Sequence, residues 1–316
     1  MGSRSEKLVV ITSEKCIRSP QRLKSAIIGI IRYYPMQFRV IPNMKKLALT
    51  ILIIATHIIA NGQFLEIGPV AGVSYYIGDI NPSKHFSGVS PSFGLVARMN
   101  YTSRWTLKAA INIGKIKASD ADYQAFYGRN LSFESSLTEI TTQVEFNFLP
   151  YFTGSSKEFF TPYIFAGLSA FIFNPKALYN GNWVELQPLN TEGQDTKAYP
   201  DRSPYGTTGI AFPFGLGMKL SLGKRWCAGI EWGLRKTFTD YLDDVSTTYY
   251  LQGTDINPQV AEEYLSDPAM THTPGMQRGN SQNNDWYSFA VAFLTYRFSL
   301  QKESSCNDFK NVQKFK

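Results

Sequence analysis

The chain has 316 residues, with 32 Lys and Arg against 25 Asp and Glu, and only three cysteines and three histidines. Ten of the basic and two of the acidic side chains fall in residues 1–62. The remainder carries 22 against 23, so the nominal charge of +7 is not the footprint of a nucleic-acid binder. Cys16, Cys227 and Cys306 form no even-numbered framework, and only His85 and His272 lie beyond residue 62, so no disulfide, metal site or cofactor is expected.

Residues 1–43 mix charges with Pro20, Pro35 and Pro42 around one apolar patch, and they read either as an extension upstream of a true start at Met44 or as a stretch removed with the signal. Met44 opens a secretory signal over residues 44–62. Lys45 and Lys46 form its charged region, residues 47–59 its apolar run, and Ala60, Asn61 and Gly62 its small-residue exit. The apolar run is too short for the ~20 residues of a helical span.

From residue 63 the pattern changes to strict alternation, period 2, which is the signature of a strand with unlike faces. The first strand sets Leu65, Ile67, Pro69, Ala71, Val73 and Tyr75 against Glu66, Gly68, Val70, Gly72, Ser74 and Tyr76. The second sets Phe93, Leu95, Ala97 and Met99 against Ser92, Gly94, Arg98 and Asn100. The third sets Trp105, Leu107, Ala109, Ile111 and Ile113 against Thr106, Lys108, Ala110, Asn112 and Gly114. A polar loop over residues 118–134 precedes a fourth strand, in which Ile140, Thr142, Val144 and Phe146 oppose Glu139, Thr141, Gln143, Glu145 and Asn147. A fifth, residues 161–173, has aromatic and aliphatic residues on both parities, and its faces stay unassigned. After a long loop, residues 174–208, a sixth strand sets Ile210, Phe212, Phe214, Leu216 and Met218 against Ala211, Pro213, Gly215, Gly217 and Lys219. The seventh sets Trp226, Ala228, Ile230, Trp232 and Leu234 against Cys227, Gly229, Glu231, Gly233 and Arg235. Residues 240–285 form the longest loop, and residues 286–298 the eighth strand.

Links after strands two, four and six are short, and those after one, three, five and seven are longer. That asymmetry predicts an all-β fold: an eight-stranded antiparallel up-and-down transmembrane β-barrel, residues 63–298, with short periplasmic turns and long extracellular loops. A soluble sandwich or lipocalin-like barrel alternates equally well, but it does not account for a face on which glycines alternate with Glu231 and Arg235. The inner faces carry Glu66, Glu139, Glu145 and Glu231 together with Arg98, Lys108, Lys219, Arg235 and Arg297. In a barrel whose interior is filled by side chains these must pair, because an unpaired buried charge costs several kcal/mol. A selective conducting pathway is the alternative use of the same charges. Tyr296 and Phe298, closing the last strand, are the expected signal for outer-membrane assembly. Residues 299–316 follow as a lysine-bearing periplasmic tail, a candidate arm for a periplasmic partner. Asp240, Asp243, Asp244, Asp255 and Asp285 with His85 or His272 match no catalytic or calcium-loop spacing, so catalysis is not expected.

Several segments carry a resemblance that barrel physics does not demand: YYIGDI (residues 75–80), EITTQVEFNFLPYF (139–152), TPYIFAGLSAFIFNPKA (161–177), ELQPLNTEGQ (185–194), EWGLRKTFTDYLDDVSTTYY (231–250) and RGNSQNNDWYSF (278–289). In these the chain resembles the PorG-type outer-membrane barrels of the type IX secretion system of Bacteroidetes. The extension before Met44 departs from that pattern. The resemblance implies a non-catalytic outer-membrane component that anchors or assembles a periplasmic ring of PorK- and PorN-type proteins. Its partners would then be outer-membrane lipid and that ring, with no nucleic acid and no small-molecule substrate. A small outer-membrane pore or transporter, and an outer-membrane enzyme, stand as alternative functions.

Overall fold

The computed structural model describes residues 64–122 and 128–299. The expected upstream extension, signal segment and tail beyond residue 299 lie outside the described residues. Nine strands are present: β1 (Phe64–Ile77), β2 (Ser90–Asn100), β3 (Trp105–Ser119), β4 (Ser132–Asn147), β5 (Phe160–Tyr179), β6 (Asn182–Glu185), β7 (Thr208–Leu222), β8 (Trp226–Thr237) and β9 (Trp286–Ser299). All pair antiparallel in the order β4-β3-β2-β1-β9-β8-β7-β5, and β4 pairs with β5 to close the ring. β6 is a four-residue annex on the end of β5, so the barrel itself has eight strands. A short helix, α1 (Ala261–Ser266), sits in the longest loop.

Closure joins the first and last strands over their whole length, from Phe64 opposite Ser299 to Ile77 opposite Trp286. Because the side-chain period is two, this register sends one parity of every strand out and the other in. The outward set is exposed and apolar all round the wall, with Phe93, Leu95, Ile140, Leu168, Ile210, Leu216 and Ile230 among it. Aromatic residues edge the belt at the periplasmic end, where Trp105 packs on Phe146 at 4.9 Å and Trp226 on Tyr296 at 5.1 Å. At the opposite end Phe214 meets Trp286 edge-on at 6.0 Å. A wall of this kind has no stable contact with water and a favourable one with hydrocarbon. The protein is an integral outer-membrane barrel.

Two features extend the sequence reading. β3, β4 and β5 run several residues past the expected strand ends, as Lys115 opposite Ser136 through Ser119 opposite Ser132 show. The segment over residues 132–136 has no apolar outer face because it stands clear of the belt. Inward, Ile116, Phe133 and Leu137 build an apolar core with Leu131, Leu186, Leu242 and Val245 from the loops. The faces of β5 are also settled: Tyr163, Phe165, Phe171 and Phe173 are buried in the lumen, whereas Ile164, Leu168 and Ile172 point out.

Candidate functional site: a filled lumen beneath a charged cap

The inward glycines of β7 and β8 lie beneath those rings. A Cβ on Gly217 would stand 2.5 Å from the Tyr163 ring, and one on Gly233 2.5 Å from the Phe165 ring. Glycine is needed here because the aromatic side chains of β5 lie over the neighbouring strands β7 and β8. The lumen is therefore packed with rings as well as charges.

Between the rings lies a ladder of ion pairs. Arg98 Nε meets Glu145 at 2.8 Å, Lys219 meets the other oxygen of Glu145 at 2.8 Å, and Lys108 meets Glu231 at 2.6 Å. Arg98 also approaches Glu231 at 3.7 Å, while Arg235 pairs with Glu139 at 3.2 Å. Tyrosine hydroxyls complete the carboxylates, Tyr163 donating to Glu231 and Tyr287 to Glu139, each at 2.8 Å. The Arg98 guanidinium rests 3.8 Å from the centre of Phe293. Each of these charges thus has an opposite charge and hydrogen bonds, the condition under which burial is tolerated.

Two of the nine expected lumen charges sit differently. Glu66 is held by neutral donors, Asn100 Nδ2 at 2.6 Å, Thr153 Oγ1 at 2.5 Å and Thr295 Oγ1 at 3.2 Å. Arg297 lies at the periplasmic mouth and donates to the Thr153 carbonyl. Both depend on the turn after β4, which tucks Tyr151 and Thr153 into the barrel end as a plug. That turn also donates Tyr151 N to Ser103 O at 3.0 Å and Gly154 N to Ser221 Oγ at 2.7 Å, tying the three periplasmic turns together. A cavity bounded by Arg98, Lys108, Glu231 and Phe293 measures about 10 Å³, room for roughly one water. Tyr296 and Phe298 stack edge-on at 5.0 Å on the outer wall at the same end.

At the extracellular end the long loops close over the lumen. Arg278, 2 % exposed, is the hub: Nη1 meets Glu192 at 3.0 Å and the Asp244 carbonyl, Nη2 lies 3.6 Å from the Asp244 carboxylate, and Nε donates to Ser266 O at 3.2 Å. Arg129 pairs with Asp120 at 2.6 Å and donates to Asp79 O and Arg278 O. Glu192 in turn accepts from the backbone of Ser246 and Thr247. The hydroxyl of Tyr76 lies 2.6 Å from both Asp243 and Asp285. One hydroxyl proton cannot serve two carboxylates, so one carboxyl must carry a proton of its own. Burial first, then the charge of Asp79 on Asp243 and of Asp243 on Asp285, holds both carboxyls well above the ordinary range. Burial also raises Asp240 to about 7, with Asp79 adding to it, and Asp244 to about 6 against the pull of Arg278.

Of the acids and histidines singled out as catalytic candidates, some acids gather in the cap, and neither histidine bonds to them. Asp243 and Asp285 meet on Tyr76, and Asp244 bonds Thr191 and Tyr205. Asp255 is exposed. His85 bonds Tyr75 at 3.2 Å beside Trp232 on the outer wall, and His272 pairs with Asp267 at 2.8 Å in the cap. Among the described residues no group of three or more His, Cys, Asp or Glu is arranged to hold a metal. Sequence reasoning missed Glu192, Arg278, Arg129 and Tyr76 as cap-builders. For Glu192 and Arg278 the signal was the segments TEG and RGN, which lie outside the strands, whereas Tyr76 stands on the inward face of β1 within YYIGDI.

A family model described as a domain of unknown function (DUF6089) matches residues 45–250, about two thirds of the chain. The chain belongs to that family. The matched stretch takes in β1 to β8 and the first half of the cap, Glu192 and Asp240 to Asp244 included, and stops short of Arg278 and β9. No curated protein matches the chain in sequence. Among solved structures the DUF6089 barrel is similar to Neisserial surface protein A, at 11% identity and a TM-score of 0.37 over 75% of this chain and 97% of that one. It is also similar to two Pseudomonas aeruginosa proteins. The N-terminal barrel domain of OprF has 11% identity, a TM-score of 0.32 and coverage of 75% and 98%. The outer membrane protein OprG has 9% identity, a TM-score of 0.35 and coverage of 75% and 96%.

Proposed function

We propose that this protein is a non-catalytic, non-conducting component of the type IX secretion machinery that anchors or assembles a periplasmic ring of PorK- and PorN-type proteins. The observation that supports this most is that the barrel is closed at both ends. Rings and ion pairs fill the lumen, the turn after β4 plugs the periplasmic mouth, and the loops cap the outside. Such a body transmits no solute and serves as a rigid membrane anchor, with three tied turns facing the periplasm. The segments carrying the resemblance to PorG-type barrels also contribute much of the cap, through Glu192, Asp244 and Arg278, rather than being spread at random over the surface. The test is chemical crosslinking in intact cells followed by purification of the barrel from outer membranes. The ring lipoprotein and its partner subunit are expected among the crosslinked species. Recovery of the barrel with neither, under conditions where the ring is intact, would overturn the reading.

A further inference from the structure

Outside the lumen, a polar cleft of about 800 Å³ opens at the extracellular rim over the ends of β1, β8 and β9. Its lipid-side edge is the in-register trio Ile77, Trp286 and Lys236, all of the outward parity. The Lys236 ammonium lies 5.7 Å from the centre of the Trp286 ring. Asn283 and Asn284 also line the cleft, and among the described residues their side-chain amides make no hydrogen bond. At its inner end Tyr249, 2 % exposed, has a hydroxyl with no hydrogen-bond partner, while its ring stacks on His272 at 4.1 Å. The two guanidinium groups nearby, Arg129 and Arg278, are already committed to Asp120 and Glu192.

This combination has a definite chemistry. Each amide offers a donor and an acceptor side by side, which is what vicinal sugar hydroxyls match. The face of Trp286 suits the apolar C–H face of a sugar ring. A volume of this size lies within the range of small-ligand sites, roughly 300–1,000 Å³. Lys236, a cation at headgroup level on the lipid side, suits a phosphate. We propose that the cleft binds the phosphorylated sugar headgroup of an outer-leaflet glycolipid. Asn283 and Asn284 contact the sugar, Trp286 stacks beneath it, and Lys236 takes the phosphate. This rests on the placement of the barrel in the outer membrane and not on the secretion role, so loss of ring recovery leaves it untouched.

The test uses the barrel purified in detergent and three probes. These are a deep-rough lipopolysaccharide (lipid A with inner-core sugars), the core oligosaccharide detached from it, and phosphatidylglycerol as a sugar-free anionic lipid. Binding is read by native mass spectrometry and tryptophan fluorescence. The lipopolysaccharide is expected to bind and phosphatidylglycerol not to displace it. Asn283→Ala with Asn284→Ala should weaken it about tenfold or more, the equivalent of one or two lost hydrogen bonds. Tyr249→Phe, which keeps the stack on His272, should leave binding unchanged, because the hydroxyl is closed off from the cleft. Lys236→Gln should lower affinity for the lipopolysaccharide but not for the detached oligosaccharide. All four substitutions leave the wall intact, and heat-modifiable migration in gels checks this. Wild-type affinity in the amide variants, or displacement by phosphatidylglycerol, would overturn the proposal. Equal affinity for the detached oligosaccharide and the intact glycolipid would overturn the assignment to a membrane-borne sugar.

Discussion

Glu231 shows how a single lumen residue is held. Its carboxylate takes Lys108 at 2.6 Å and Tyr163 at 2.8 Å, with Arg98 at 3.7 Å, all buried. Glu231→Gln keeps the shape and removes the charge, leaving Lys108 without its counter-ion at a cost of about 3–5 kcal/mol. The barrel is expected to unfold at lower urea concentration, and Lys108→Met added to Glu231→Gln should recover part of the loss. Independent, additive losses from the two changes would show that they do not share one pair. Asp240 makes the opposite case, since its folded carboxyl titrates near 7 against an ordinary 3.8. Between those values the folded cap retains a proton that an opened loop has lost. Its contribution to stability is therefore fully present below about pH 4 and lost as pH rises through about 7. Proteolysis of residues 240–285 should be slower at pH 5 than at pH 8, with the difference reduced in Asp240→Asn. A pH response unchanged by that substitution would transfer it to Asp243 and Asp285.

At the scale of elements, each strand is a two-sided object, and substitutions on its two faces fail for different reasons. Ile230, 54 % exposed at the middle of β8, faces hydrocarbon, while its neighbour Glu231 faces the ladder. Ile230→Arg should cost about 2–4 kcal/mol in lipid and reduce insertion, because the guanidinium must be carried to the bilayer midplane. Folding of Ile230→Arg into lipid with wild-type yield would contradict the assigned face. β5 illustrates why faces are not always readable from one strand. Its inward and outward residues are both large and apolar, and only the glycines of β7 and β8 opposite Tyr163, Phe165 and Phe171 distinguish them. The extensions of β3 and β4 escaped the alternation rule for a related reason: above the belt the outer face is wet and carries polar residues, so the segment reads as a polar loop.

The whole barrel combines a lumen filled with side chains, a periplasmic plug and an extracellular cap. Purified protein in planar bilayers should show no stable conductance of porin size, since an eight-stranded barrel leaves an interior just wide enough for its own side chains. Steady ion-selective steps would favour a transporter. Removal of the plug by Tyr151→Ala and Thr153→Ala should not open a path by itself, because the ladder from Glu145 to Glu139 still spans the lumen.

Alternation, link lengths and the inward placement of charge were determined by the sequence alone, because a barrel wall solves one local problem repeatedly, with a period of two residues. The acidic and basic lumen residues were legible for the same reason, since parity sends them inside whatever their partners. Which charge meets which was decided only in the closed ring: Lys108 on β3 reaches Glu231 on β8 across the lumen, a pairing set by shear and register between distant strands. The same holds for Glu66, which sequence parity grouped with the ion pairs and which the folded turn after β4 supplies with hydroxyls instead. The cap is the extreme case. Arg278, Glu192, Asp244 and Tyr76 come from four separate segments of the chain with no periodicity among them, and their meeting follows from long-range packing over the barrel mouth.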